Sequence, residues 1–182
     1  MTRHYPDAWL QTFTGRQFWP LEPDPADVCI EDIAHALSML CRYGGHSLRF
    51  FSVAEHSVLV ATQTGLHGLL HDAAEAYVLD LPRPLKLMLP DYWTIEDRVL
   101  LAIYDGLGIA SPTEEEHALV KRADNAVLAT EKLTLHHDLR KWALTEEPYA
   151  NMKIEGWPPA KAERKFLSMW KSLAHPIKEQ RR

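Results

Sequence analysis

Charged side chains set inside apolar helical stripes constrain the fold of this chain more than any other feature. Three and four residues from Asp124 stand Val120, Val127 and Leu128. Asp72 has Leu69 and Ala76 at that spacing and Leu79 two turns on; His56 has Val53, Leu59 and Val60. Such spacing puts each charged group on the side of its helix that faces a core. An ionised carboxylate there is costly unless a cation or a donor network satisfies it. With His71 beside Asp72, two carboxylates and two histidines on three helical segments are expected to converge as a metal site.

The remaining pattern predicts an all-α helical bundle with a short N-terminal hairpin. The chain reads as one domain over 1–182: an N-terminal extension at 1–27, a metal-binding core at 28–136 and a C-terminal helical segment at 137–182. The hairpin is placed between Leu10 and Leu21, around Thr14-Gly15-Arg16. Apolar spacing predicts a helix from Val28 to Tyr43, ended by Gly44-Gly45. Ser52 and Glu55 fit a capping box that opens the helix carrying His56. A third helix over Leu66 to Leu79 carries His71, Asp72 and Glu75 on one face, and the prolines at 82 and 84 end it and stiffen the adjoining loop. Helices at Tyr92–Leu107, Thr113–His136 and Ala160–Leu173 complete the bundle.

Composition excludes several roles. A net charge of −5 gives no broad attraction to nucleic acid, so no nucleic-acid polymer is expected as a partner. The basic tail from Lys178 to Arg182 reads as a solvated end. The chain has no apolar stretch of membrane-spanning length, so no membrane partner is expected. Its two cysteines, Cys29 and Cys41, sit too far apart on one predicted helix to bridge. A cytoplasmic protein with buried free thiols is the expectation.

Mixed imidazole and carboxylate ligands suit a divalent transition metal (Mn, Co, Zn, Ni or Fe) and admit a second ion such as Mg. Glu75, one turn from His71 and Asp72, is placed beside the ion to move a proton. His67, one turn before His71, reads as a structural histidine, and His46 as a loop or pocket residue. Trp93, Trp142, Trp157 and Trp170 read as core or interface.

The ordered set His56, His71-Asp72 and Asp124 resembles the signature of the HD-domain metal-dependent phosphohydrolases. The local text Val53-Ala54-Glu55-His56-Ser57, His71-Asp72-Ala73-Ala74-Glu75 and Asp80-Leu81-Pro82-Arg83-Pro84-Leu85-Lys86 is similar to the bacterial 5′-deoxynucleotidase branch and its phage dATP triphosphohydrolase relatives. The resemblance covers about Ile30 to Glu131. It implies His56, His71, Asp72 and Asp124 as metal ligands, and Glu75 and Asp80 as the acids that handle water and leaving group. It also implies Arg42 as a phosphate grip, with Lys86 adding a point charge. Where the deoxynucleotidases carry a tryptophan after that arginine, shaping the sugar pocket, this chain has Tyr43. The implied activity is hydrolysis of nucleotides by a homo-oligomeric enzyme, preferably 5′-nucleotidase action on (deoxy)nucleoside monophosphates. Release of tripolyphosphate from a dNTP is the alternative, since Arg42, Arg49, Arg83 and Lys86 do not decide between them. A non-catalytic nucleotide sensor is the alternative from another class.

Overall fold

The computed structural model describes residues 3–139 and 141–180, with side chains as far as Ala174; the basic tail therefore lies outside the described side chains. Two short antiparallel strands, β1 (Leu10–Gln11) and β2 (Gln17–Phe18), make the expected hairpin. Among the described residues all further named elements are helical, so the fold is all-α with a short hairpin. The hairpin is locked down by Asp32 of α1 (Ile30–Met39), which accepts from the Thr14 backbone N–H at 2.6 Å and its hydroxyl at 2.9 Å. Phe18 is fully buried and stacks on Tyr77 at 3.7 Å between centroids.

The bundle is built around α2 (Val53–Thr64), which packs on α1, α3 (Leu66–Leu70), α7 (Glu114–Leu135) and α8 (Pro159–Gln180). Its residues from Val53 to Ala61 are all buried, as a helix surrounded by helices requires. Gly68 lets α3 lie close to α2: a Cβ there would stand 1.9 Å from Thr64 Oγ1. The helix α6 (Pro90–Leu107) matches its predicted range apart from the added Pro90 and Asp91. Thr113 and Glu116 cap α7 reciprocally, with three glutamates in its first turn. One core cluster takes Phe18, Ile33, Val58, Leu69, Ile103, Trp157 and Phe166, so all three segments drawn in the sequence share it.

Five expectations are corrected. The first helix stops at Met39, not Tyr43, because its continuation pairs by backbone hydrogen bonds with the extended residues 51–53 at the start of α2. Arg42 N–H donates to Phe51 O at 2.9 Å, Val53 N–H to Leu40 O at 3.1 Å, and Cys41 bridges Ser52. The two cysteines are therefore not on one helix, although both are free. The predicted helix over 66–79 is broken: His71 to Ala74 form turns between α3 and α4 (Glu75–Val78). Bonds from Ala73 to Leu70, Glu75 to Asp72 and Tyr77 to Ala74 span three residues rather than four there. The proline-rich stretch is a helical turn, α5 (Arg83–Lys86), rather than a plain loop. Finally, Ser52 accepts from Glu55 N–H at 3.1 Å, but the Glu55 carboxylate does not return the bond. It accepts instead from the backbone N–H groups of Glu155 and Gly156, each at 3.0 Å, and of Trp157 at 2.5 Å.

Candidate metal centre

The backbone pairing that shortens α1 also builds one side of the site. It fixes the Arg42 turn against the start of α2, so Arg42 and His56 are set relative to one another before any side chain engages. The break after Leu70 builds a second side, placing His71 and Asp72 in a turn rather than along a continuous helix. The third is α7, whose Asp124 lies beside the buried Ala123 and Ala126.

His56 Nε2 is the meeting point. It stands 3.2 Å from His71 Nε2, 3.6 Å from an Asp72 oxygen and 3.3 Å from an Asp124 oxygen. His56, His71 and Asp72 each offer an atom within 4.8 Å of the other two; Asp124 joins through His56, while Lys121 holds its second oxygen at 3.3 Å. His56 is fully buried, whereas His71, Asp72 and Asp124 are partly open. The surface grooves beside Phe13 and Tyr77 and beside Leu59 and Tyr149 lie elsewhere.

The second nitrogen of each histidine decides what this cluster wants. His71 Nδ1 lies 2.8 Å from Gly68 O, and a carbonyl only accepts, so Nδ1 carries the proton. His56 Nδ1 lies 2.6 Å from a Glu131 carboxylate oxygen and carries its proton for the same reason. Both rings in their neutral form thus aim a lone pair into the same space as two carboxylates. Arg42 and Lys121 each donate to one of the carboxylates, at 3.4 and 3.3 Å, but among the described residues neither imidazole lone pair meets a donor, and a cation among the four would relieve their repulsion. Among His56, His71 and Asp72 the 3.2–3.6 Å spacing is near the polyhedron edges of about 3.0–3.4 Å that metal–ligand bonds near 2.1 Å produce, and Asp124 meets this group at His56, 3.3 Å away. In the ion-free protein a proton substitutes. Burial and Arg42 push His56 down, but Glu131 and the bond to Asp124 outweigh them and hold it up at about 9. Burial pushes Asp72 and Asp124 up, and the histidines and Arg42 bring both far below the carboxylate range.

Glu131 is the residue that sequence reasoning missed. It is fully buried on α7, two turns after Asp124, and its carboxylate accepts from His56, from Arg42 Nε at 3.3 Å and from the Tyr43 hydroxyl. The signal is present in the sequence: an acid between Val127 and Leu135, both fully buried. Arg42 is buried rather than presented to solvent, and its second contact is Asp72 at 3.4 Å. Tyr43 has φ of 60°, a left-handed conformation rare for a bulky residue, and its ring meets His136 edge-on at 4.5 Å. Half-exposed Trp142 lies 6.0 Å from it, while Trp157 and Trp170 are buried in the core.

On the other flank, Glu75 is buried with one oxygen 3.4 Å from Lys86 and the other without a partner among the described residues. Burial first, then the charges of Asp72 and Asp80, push its carboxyl well above the usual range. Lys86 is also bonded to Glu96 at 2.7 Å. Asp80 is half-buried and follows Leu79, whose φ of 74° is normally left to glycine and whose carbonyl accepts from Tyr92. Of the other named candidates, Arg49 is turned away to Ile154 O at 2.7 Å, and Arg83 and His46 are exposed. His67 lies by Tyr104 and Glu116, outside the cluster.

The chain is 38% identical over 135 residues to the uncharacterized protein YfdR of Escherichia coli, covering 72% of this chain and 74% of that one. It is 34% identical over 133 residues to an uncharacterized protein of Rhodobacter capsulatus, covering 65% and 66% of the two. No family model matches.

Proposed function

The chain belongs to the same family as YfdR, and we propose that it is a metal-dependent phosphohydrolase acting on (deoxy)nucleoside monophosphates. The observation that carries this reading is the convergence of four acceptors, His56, His71, Asp72 and Asp124, with both imidazole Nδ1 protons committed elsewhere. A divalent ion held there would lower the pKa of a bound water and polarise a phosphoryl oxygen. Three of its four ligands are partly open, which leaves a side for water and substrate.

Glu75 is the proton carrier in this reading. Its raised carboxyl holds a proton at higher pH than an ordinary glutamate, which suits delivery to a leaving oxygen. Lys86 keeps that carboxyl oriented, and Asp80 raises it further by its charge. Arg42 is the phosphate grip, its guanidinium already drawn toward the centre by Asp72. A monophosphate is favoured over a triphosphate because the cations named near the centre are already paired with acids, Arg42 with Glu131, Lys86 with Glu96 and Lys121 with Asp124. Little positive charge is left for a longer phosphate chain. Among the described residues no helix is long and apolar enough to cross a membrane. Two free thiols fit a reducing, cytoplasmic compartment, and exposed Leu85, Leu87 and Met88 supply an apolar surface for a homo-oligomer.

The test is to load the protein with Mn, Co, Zn or Ni and present dNMPs, NMPs and dNTPs, separating products by chromatography. Inorganic phosphate from monophosphates is expected. Tripolyphosphate from a dNTP would overturn the substrate form, and no turnover with any ion would overturn the enzyme. Glu75→Ala should abolish turnover with about one equivalent of metal retained; loss of the metal too would make Glu75 a ligand instead.

A further inference from the structure

We propose that Glu131 is the positioning residue of the metal centre, fixing His56 in the one tautomer and ring orientation that presents Nε2 to the ion. The inference rests on the metal-centre reading and deepens it. A histidine ligand needs its other nitrogen to donate, and the acceptor chosen for that proton sets how the ring points. Here the acceptor is a carboxylate rather than water: Glu131 lies 2.6 Å from Nδ1, with both side chains fully excluded from solvent. The second oxygen carries Arg42 and Tyr43. The same carboxylate thereby fixes a ligand on α2 and the two substrate-side residues after α1.

A merely structural buried carboxylate would not face a metal ligand and the substrate-side turn at once. Glu55 provides that contrast, being equally buried one residue from His56 and bonded only to backbone N–H groups.

The test is cobalt(II) binding to the full chain, read by competition with a chromogenic chelator and by the visible spectrum of the bound ion. Glu131→Gln keeps size and shape, but its single amide oxygen cannot serve both His56 and Arg42. Affinity is expected to fall about 10- to 100-fold, with a changed visible spectrum, while Glu55→Gln leaves the spectrum as in the wild type. If Glu131→Gln does not fold, Glu131→Asp keeps the charge and withdraws the acceptor by one methylene, with the same expected loss. Binding within twofold of wild type, with an unchanged spectrum, would overturn the proposal. Failure of the wild type itself to bind cobalt would overturn the metal centre and this proposal with it, a result read on the wild type alone.

Discussion

Two glutamates are buried to the same extent, Glu55 on α2 and Glu131 on α7, and they serve opposite ends of the molecule. Among the described residues Glu55 has no cation beside it. Three consecutive backbone N–H groups from residues 155–157 satisfy it, and it fastens the long non-helical stretch before α8 onto the central helix. Glu131 is satisfied by three side chains, each belonging to the candidate centre. Burial alone therefore does not identify function. What separates the two is whether the partners are main chain, which holds a fold, or ionisable side chains, which set a site.

The sharpest way to break this contrast is at the ligand itself. His56→Ala should weaken divalent-ion binding about a thousandfold or more, beyond the 10- to 100-fold of an outer partner, as read by titration calorimetry. A smaller loss would mean that the acceptors do not share one ion. Glu55→Ala should do the reverse. It strands three buried N–H groups and should lower unfolding stability by about 3–5 kcal/mol in urea, with ion affinity within about threefold of wild type. If the affinity falls in step with stability, the two ends are coupled and the contrast fails.

A pH series separates the two ends without mutation. His56 is raised to about 9, so its proton stabilises the ion-free fold fully below its unfolded value and is lost as pH rises through 9. Ion-free protein should lose up to about 3 kcal/mol between roughly pH 6.5 and 9. Saturating metal should remove that loss, since the ion takes the proton's place, and binding should release a proton detectable by calorimetry in buffers of different ionisation enthalpy. The smallest effect expected is that of Tyr43→Phe, which removes one donor to Glu131: about 1 kcal/mol of stability and less than tenfold in ion affinity. A larger effect would place Tyr43 nearer the centre of the network than Arg42.

The four acceptors are legible in the sequence because a charged residue at helical spacing among apolar ones is anomalous, and the anomaly survives any error in helix boundaries. Glu131 carries the same mark between Val127 and Leu135, but the quartet already accounts for a site without it. The helix break at His71 is not legible, because its apolar spacing continues through the turn; only the three-residue hydrogen bonds reveal it. Nor is the role of Glu55, since its partners lie about a hundred residues away and are backbone groups, which no side-chain pattern encodes. Its local sequence points instead to a capping box with Ser52. The start of α7 is legible to within one residue, from Thr113 and the three glutamates that follow it, although the reciprocal cap between Thr113 and Glu116 comes from the structure.

The most direct measurement is X-ray absorption at the cobalt edge of the loaded protein. Two imidazole ligands among oxygens at about 2.1 Å are expected, with the imidazole outer-shell scattering halved in His71→Ala. An all-oxygen shell without that scattering, in protein that retains its cobalt, would contradict the convergence of His56, His71, Asp72 and Asp124 on one ion.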